Sequence, residues 1–307
     1  MIIFLLFLLP IFNSLNIPHK SYIKKINDAD FKVLEPLTLK TEKKNVLFFG
    51  GLNGYIPNDI YSDFLTNLVK NDICCYICNG DIENANELVD EIHSKEKGSI
   101  NIVAHSSGAT PALKVCEKNK HILNAIFFDP VDSSYFENLN LDAFELFKKF
   151  YLNKINYKIP YLENMYIIHA DKSYKWNFFP PKIPFIPAFK LETKNIKFKT
   201  LFESANSFEF EMLSNHLENI KDSKTKITSI NIEDFGHSDI LDDKYANIAH
   251  NSFIEGTFDR DNSNLDNYRN SLAYLVLSAI NNENNLETKL LVNSYFRKLN
   301  YNIKILN

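Results

Sequence analysis

A chain of 307 residues with 45% hydrophobic and 23% charged positions can bury a large core, which excludes a fibrous or disordered polypeptide. Its formal net charge of −4, with no dense basic patch, argues against a nucleic-acid partner. The 4 cysteines lack His or carboxylate partners at ligand spacing, so no metal is expected; buried free thiols are, with a Cys116 disulfide as the alternative in an exported chain.

Residues 1–12 form an unbroken apolar run, too short for a membrane span of about 20 residues and matching the core of a secretory leader. This predicts a signal peptide over 1–16, entry to the secretory pathway, and a single domain over 17–307. An uncleaved anchor or a buried strand are the alternatives. Residues 22–40 read as antiparallel strands. A strand over 45–49 then runs into Gly50-Gly51-Leu52-Asn53-Gly54, where glycines leave the backbone amides free of side-chain obstruction.

Beyond that loop, helical spacing over 60–70, a strand over 73–78, a helix over 84–95 and a strand over 100–104 set up an alternating β/α order. The pattern continues with a helix over 109–119 and strands over 122–128, 165–170 and 225–232. Such alternation predicts an α/β fold with a mainly parallel central sheet and helices on both faces. A helix over 265–281 should pack on the sheet, and 287–307 reads as a further helix or an extended tail. Two insertions resemble a cap: 133–158, helical over 141–151, and the proline-rich 176–189. In the latter, Trp176, Phe178 and Phe179 either wall an apolar pocket, cover core, or touch a membrane surface transiently.

The chemistry centres on Val103-Ala104-His105-Ser106-Ser107-Gly108, between an apolar strand and a helix. A strand that reverses sharply into a helix lifts the residue at the turn above the sheet, and the positions two before and two after it must be small. Ala104 and Gly108 meet that demand, so Ser106 is the candidate nucleophile. A serine hydroxyl needs an imidazole to take its proton and a carboxylate to orient that imidazole. His237, in Asp234-Phe235-Gly236-His237-Ser238-Asp239-Ile240-Leu241-Asp242-Asp243, follows a strand and a flexible glycine and is the candidate base. Asp129 and Asp171 each end an apolar strand, and both are candidates for the acid. The amides of Leu52 and Ser107 are candidates for an oxyanion hole, with Gly51 and Asn53 lining the same loop. The glycine spacing fits neither nucleotide-binding fingerprint, so no cofactor is expected.

Ala104-His105-Ser106-Ser107-Gly108, Phe128-Asp129-Pro130-Val131-Asp132 and the His237 block together resemble the chlorophyllases, an α/β-hydrolase family carrying G-H-S-R-G-G, D-P-V-D-G and G-H-x-D-x-L-D-D. The Gly51-Leu52 loop and the Ser106-to-Asp129 spacing resemble the platelet-activating-factor acetylhydrolases. Asn206-Ser207-Phe208-Glu209-Phe210 is similar to an Asn-plus-aromatic element of the chlorophyllases. The resemblance implies an α/β-hydrolase fold, a serine esterase or lipase activity on an apolar or lipid ester, and Asp129 as the acid in preference to Asp171. Ser107 stands where the chlorophyllases have Arg, and Ala104 and Ala109 where they have Gly, so the resemblance carries ester hydrolysis further than a pigment substrate. An acyltransferase, or an inactive homologue that binds an apolar ligand, would share these motifs.

Overall fold

The structure, a computed structural model, describes residues 19–37, 43–51, 58–96, 98–130, 159–170, 224–252, 262–281 and 293–306. The expected leader over 1–16, the insertions over 133–158 and 176–189, and the segment 206–210 lie outside the described residues.

Strands β1 (His19–Ile26) and β2 (Ala29–Pro36) form a hairpin, joined by Asn27-Asp28. Asn27 takes a φ of 50°, as a two-residue turn matched to strand twist requires. Then follow β3 (Lys44–Phe49), α1 (Ser62–Lys70), β4 (Ile73–Cys78), α2 (Ile82–Lys95), β5 (Ser99–His105), α3 (Ala109–Lys118) and β6 (Ile122–Phe128). The remaining elements are β7 (Asn164–Ala170), β8 (Lys226–Ile232), α4 (Asp243–Ser252), α5 (Asn262–Ile280) and β9 (Tyr301–Leu306). The sheet order is β1-β2-β4-β3-β5-β6-β7-β8-β9, with β2 and β9 running against the rest. The first eight strands have the order and direction of the α/β-hydrolase sheet, and the fold is of that class.

Both faces of the sheet are covered, which is why its strands read as continuous apolar runs rather than alternating ones. Along β3, Val46 and Phe48 face a core shared with α1 and α5, while Leu47 and Phe49 face one shared with α2 and α3. Phe64, Leu65 and Leu68 of α1 are buried, each worth about 1.5–3 kcal/mol of burial. Asp81 caps α2 by accepting hydrogen bonds from the amides of Glu83 and Asn84. All four cysteines are free and buried, and burial pushes their thiols above the ordinary range.

A polar ladder crosses the buried sheet. Asn164 Nδ2 donates to Asn124 Oδ1 at 2.9 Å, Asn124 Nδ2 to Asn101 Oδ1 at 2.8 Å, and Asn101 Nδ2 to the Asn45 carbonyl at 3.3 Å. One asparagine from each of β7, β6, β5 and β3 thus locks neighbouring parallel strands in register, since a slip would bury unpaired amides.

Two sequence expectations change. Part of 287–307 is neither helix nor tail but an antiparallel edge strand, β9, paired along β8 from Ile227↔Leu306 to Ile232↔Tyr301. The six-residue run Tyr301–Leu306 follows a short 3₁₀ turn at Phe296–Lys298 and is too short for its own pattern to separate strand from coil. Helix α4 follows the His237 loop directly, where no helix was expected.

Candidate active site

The site is built at the carboxyl ends of β5, β6 and β8, where ligands collect in open α/β sheets. Three non-glycine residues there have positive φ: Ser106 at 56°, Asp129 at 42° and Asp234 at 71°. Each stands one or two residues beyond the end of its strand, where the chain turns into the next segment, and such strained backbone is held only by surrounding structure.

Ser106 opens a 3₁₀ turn, Ser106–Gly108, that leads into α3. The small residue two positions on is a matter of contact rather than of φ. A Cβ at Gly108 would lie 2.3 Å from the Gly50 carbonyl oxygen and 2.5 Å from that of Phe49. Helix α3 and the end of β3 therefore touch backbone to backbone. Ser106 is partly exposed, Ser107 is buried beside it, and both stand at the positive end of the α3 dipole.

His237 is 4% exposed, and its Nε2 lies 2.8 Å from Ser106 Oγ. Its other ring nitrogen, Nδ1, lies 3.8 Å from Asp129 Oδ2. That is ion-pair distance, longer than a hydrogen bond. Asp129 is itself anchored to β7: its amide donates to the Ile168 carbonyl at 2.8 Å, and its Oδ1 accepts from the Ala170 amide at 2.9 Å. A proton on Nδ1 would face that carboxylate, which only accepts, and would leave the Nε2 lone pair toward the serine. Burial, and then the neighbouring His105 imidazole, hold His237 well below the ordinary imidazole value. It is therefore neutral at physiological pH, in the state a general base requires.

The residues following His237 anchor its loop. Asp239 Oδ2 accepts from the Gly236 amide at 2.8 Å, closing the turn. Asp242 accepts from the Asp63 amide at 2.9 Å, at the first turn of α1, and donates its own amide to the Ile60 carbonyl at 2.8 Å. Arg269 on α5 is fully buried: Nη2 reaches the Leu241 carbonyl at 2.5 Å and Asp243 Oδ1 at 2.7 Å, and Nη1 lies 3.4 Å from Asp63 Oδ2. Phe235 stacks on Tyr268 with ring centroids 4.1 Å apart. The acidic tail of the motif thus ties the His237 loop to itself, to α1 and to α5.

Of the other expected site residues, Gly51 is buried and donates its amide to Tyr61 Oη at 2.9 Å. Leu52, Asn53, Asp171, Trp176, Phe178 and Phe179 lie outside the described residues. Sequence reasoning gave no role to His105, Tyr61 or Arg269. His105 stood inside the serine motif, but Tyr61 and Arg269 carry no local signal: both matter through contacts with segments far away along the chain.

No protein-family model matches the chain, and no curated protein matches its sequence significantly. Solved structures do. A thermostable esterase from Pseudomonas putida is 16% identical with a TM-score of 0.34, the match covering 50% of this chain and 64% of that one. A candidate esterase from Staphylococcus aureus is 11% identical with a TM-score of 0.42, covering 77% and 82% of the two chains. An esterase of Rhizomucor miehei is 13% identical with a TM-score of 0.35, covering 50% and 65%. The chain thus spans under two thirds of the length of the Pseudomonas and Rhizomucor enzymes.

Proposed function

We propose that the protein is a serine carboxylic-ester hydrolase, with Ser106 as nucleophile, His237 as general base and Asp129 as the orienting acid. The observation that carries this reading is the 2.8 Å approach of His237 Nε2 to the hydroxyl of a strained, partly exposed serine at a strand-to-helix turn. Ser106 Oγ attacks the ester carbonyl carbon while its proton passes to His237 Nε2. The resulting imidazolium returns that proton to the departing alkoxide as the carbonyl–alkoxide bond breaks, leaving an acyl-enzyme. Water then attacks the acyl carbon, gives a proton to His237, and releases the acid as the proton goes back to Ser106. Asp129 holds the imidazole through Nδ1 and balances its charge. The Ser107 amide, with that of Leu52, receives the oxyanion.

The substrate we assign is an apolar or lipid ester, on the strength of the aromatic residues Trp176, Phe178 and Phe179 in the proline-rich segment. The apolar run at the amino terminus supports export through the secretory pathway.

A fluorophosphonate probe should label the wild type covalently and should not label Ser106→Ala, and p-nitrophenyl ester turnover should disappear with the label. Labelling that persists in Ser106→Ala refutes the assignment. Asp129→Asn should cut turnover by orders of magnitude and Asp171→Asn should leave it near wild type; the reverse result moves the acid to Asp171. Esters of graded acyl length, assayed on the same preparation, give the substrate preference.

A further inference from the structure

Two buried residues lie between the glycine loop and the His237 loop. Tyr61, fully buried in the 3₁₀ turn Asn58–Tyr61, accepts the Gly51 amide proton at 2.9 Å. Its Oη lies 2.8 Å from His105 Nδ1. His105, 3% exposed, places Nε2 3.0 Å from the main-chain carbonyl of His237. The imidazoles of His105 and His237 pack with centroids 4.6 Å apart, and the Tyr61 ring meets His105 edge-on at 5.6 Å.

The donors and acceptors in this chain have only one consistent order. A carbonyl oxygen accepts and cannot donate, so His105 must carry its proton on Nε2. Burial holds the His105 imidazole down at about 4, so it is neutral and Nδ1 is a bare lone pair. The Tyr61 hydroxyl, kept protonated by burial, then donates to Nδ1, and its oxygen lone pair receives the Gly51 amide. The run from Gly51 N–H through Tyr61 O–H and His105 Nε2–H to the His237 carbonyl points one way throughout. Hydrogen bonds aligned in this manner strengthen one another in a low-dielectric interior.

We infer that Tyr61 and His105 are positioning residues, a buried brace that fixes the His237 backbone relative to Gly51 of the glycine loop and so sets the base over Ser106. The inference rests on the serine-hydrolase reading and adds residues to it. Neither side chain touches the reacting atoms. The brace spans the Asn58–Tyr61 turn, the end of β5 and the His237 loop, three segments far apart along the chain. Removing either polar group leaves the imidazole at 237 with a less defined backbone, and a misplacement of about 1 Å at a reacting group can cost on the order of 100-fold in rate.

The test uses the full chain with Tyr61→Phe, His105→Leu, the double variant and His105→Gln, whose amide NH2 replaces the Nε2–H donor. Each single variant should lose about 10- to 100-fold in kcat on a p-nitrophenyl ester with KM changed little. The double variant should be no worse than the poorer single one, because both cut the same chain of bonds. His105→Gln should recover part of the loss. Variants that keep wild-type kcat, or losses that multiply in the double variant, overturn the brace while leaving the hydrolase reading intact, provided fluorophosphonate still labels wild type and not Ser106→Ala. A wild type that takes no label overturns both. If the variants fail to fold, the imidazole nitrogen NMR signals of wild-type His105 decide: a proton on Nε2 with bare Nδ1 is expected, and a proton on Nδ1 refutes the order of bonds.

Discussion

Gly108→Ala is a test of one methyl group with two physical arguments pulling in opposite directions. The φ and ψ of Gly108 are −64° and −16°, ordinary values for any residue, just before a helix. By conformational preference alone, alanine should therefore stabilise the protein, by about 0.4–1 kcal/mol through the lost freedom of the unfolded chain. The packing says otherwise. The added carbon would stand 2.3 Å and 2.5 Å from two main-chain carbonyl oxygens, about 1 Å inside ordinary contact. Neither oxygen belongs to a flexible side chain, so β3 or the start of α3 must move. Overpacking of this kind costs about 1–3 kcal/mol, which outweighs the conformational gain. The net expectation is a loss of about 1–2 kcal/mol, read as a lower urea midpoint at unchanged m-value and a melting temperature lower by about 2–8 °C. Because the displaced atoms adjoin Ser106 and Gly51, fluorophosphonate labelling should slow as well. A variant as stable as wild type, or more so, would show that α3 and β3 do not meet as closely as described.

Asn124→Ala removes the central rung of the asparagine ladder, taking away the acceptor of Asn164 and the donor to Asn101; it should cost about 2–3 kcal/mol by urea denaturation, and a loss under about 0.5 kcal/mol would mean that the ladder does not hold the sheet. His237 is held below the ordinary imidazole value, so it stays unprotonated under mildly acid conditions, and the acidic limb of kcat/KM should fall below pH 6.5. A limb centred above pH 7 would contradict this. For His105 the folded value of about 4 lies beneath the ordinary 6.5, so the unfolded chain takes up a proton that the folded one refuses. Stability should therefore drop as pH falls through this window, by about 3 kcal/mol from this residue, and His105→Gln should show a smaller acid loss in urea midpoints between pH 7 and pH 4.5. An acid loss as large as that of wild type would refute the assignment. Burial pushes the Asp242 carboxyl up to about 7, so folding opposes its ionisation as pH rises from the ordinary range to neutrality. Asp242→Asn keeps an acceptor for the Asp63 amide without the charge: it should melt higher than wild type at pH 8, by a margin that shrinks as the pH is lowered to 5, and a margin that does not shrink would refute this.

What the chain makes legible on its own is whatever depends on neighbours in sequence. The apolar runs of β3 through β8 announce strands because residues covered on both faces need no polar alternation. The elbow around Ser106 is readable because strand, turn and helix are contiguous, with a small residue two beyond the serine whose need comes from the close approach of the end of β3. The block around His237 is readable for the same reason, although the contacts of Asp242 with α1 and of Asp243 with α5 are not.

Tertiary contact decided the rest. Asn101, Asn124 and Asn164 read as isolated polar positions until the sheet sets them side by side, where each side-chain amide meets the next and Asn101 reaches the main-chain carbonyl of Asn45. Arg269 is buried because the Leu241–Asp243 segment and Asp63 of α1, together with Asp266 in its own helix, supply partners that offset the removal of its charge from water. β9 becomes a strand because β8 offers it an unpaired edge. The approach of a tyrosine at 61 to histidine 105, and of that histidine to the loop of the base, depends on which strands lie adjacent. A periodicity in sequence reports which face of an element is apolar, but only the folded sheet determines what that face meets.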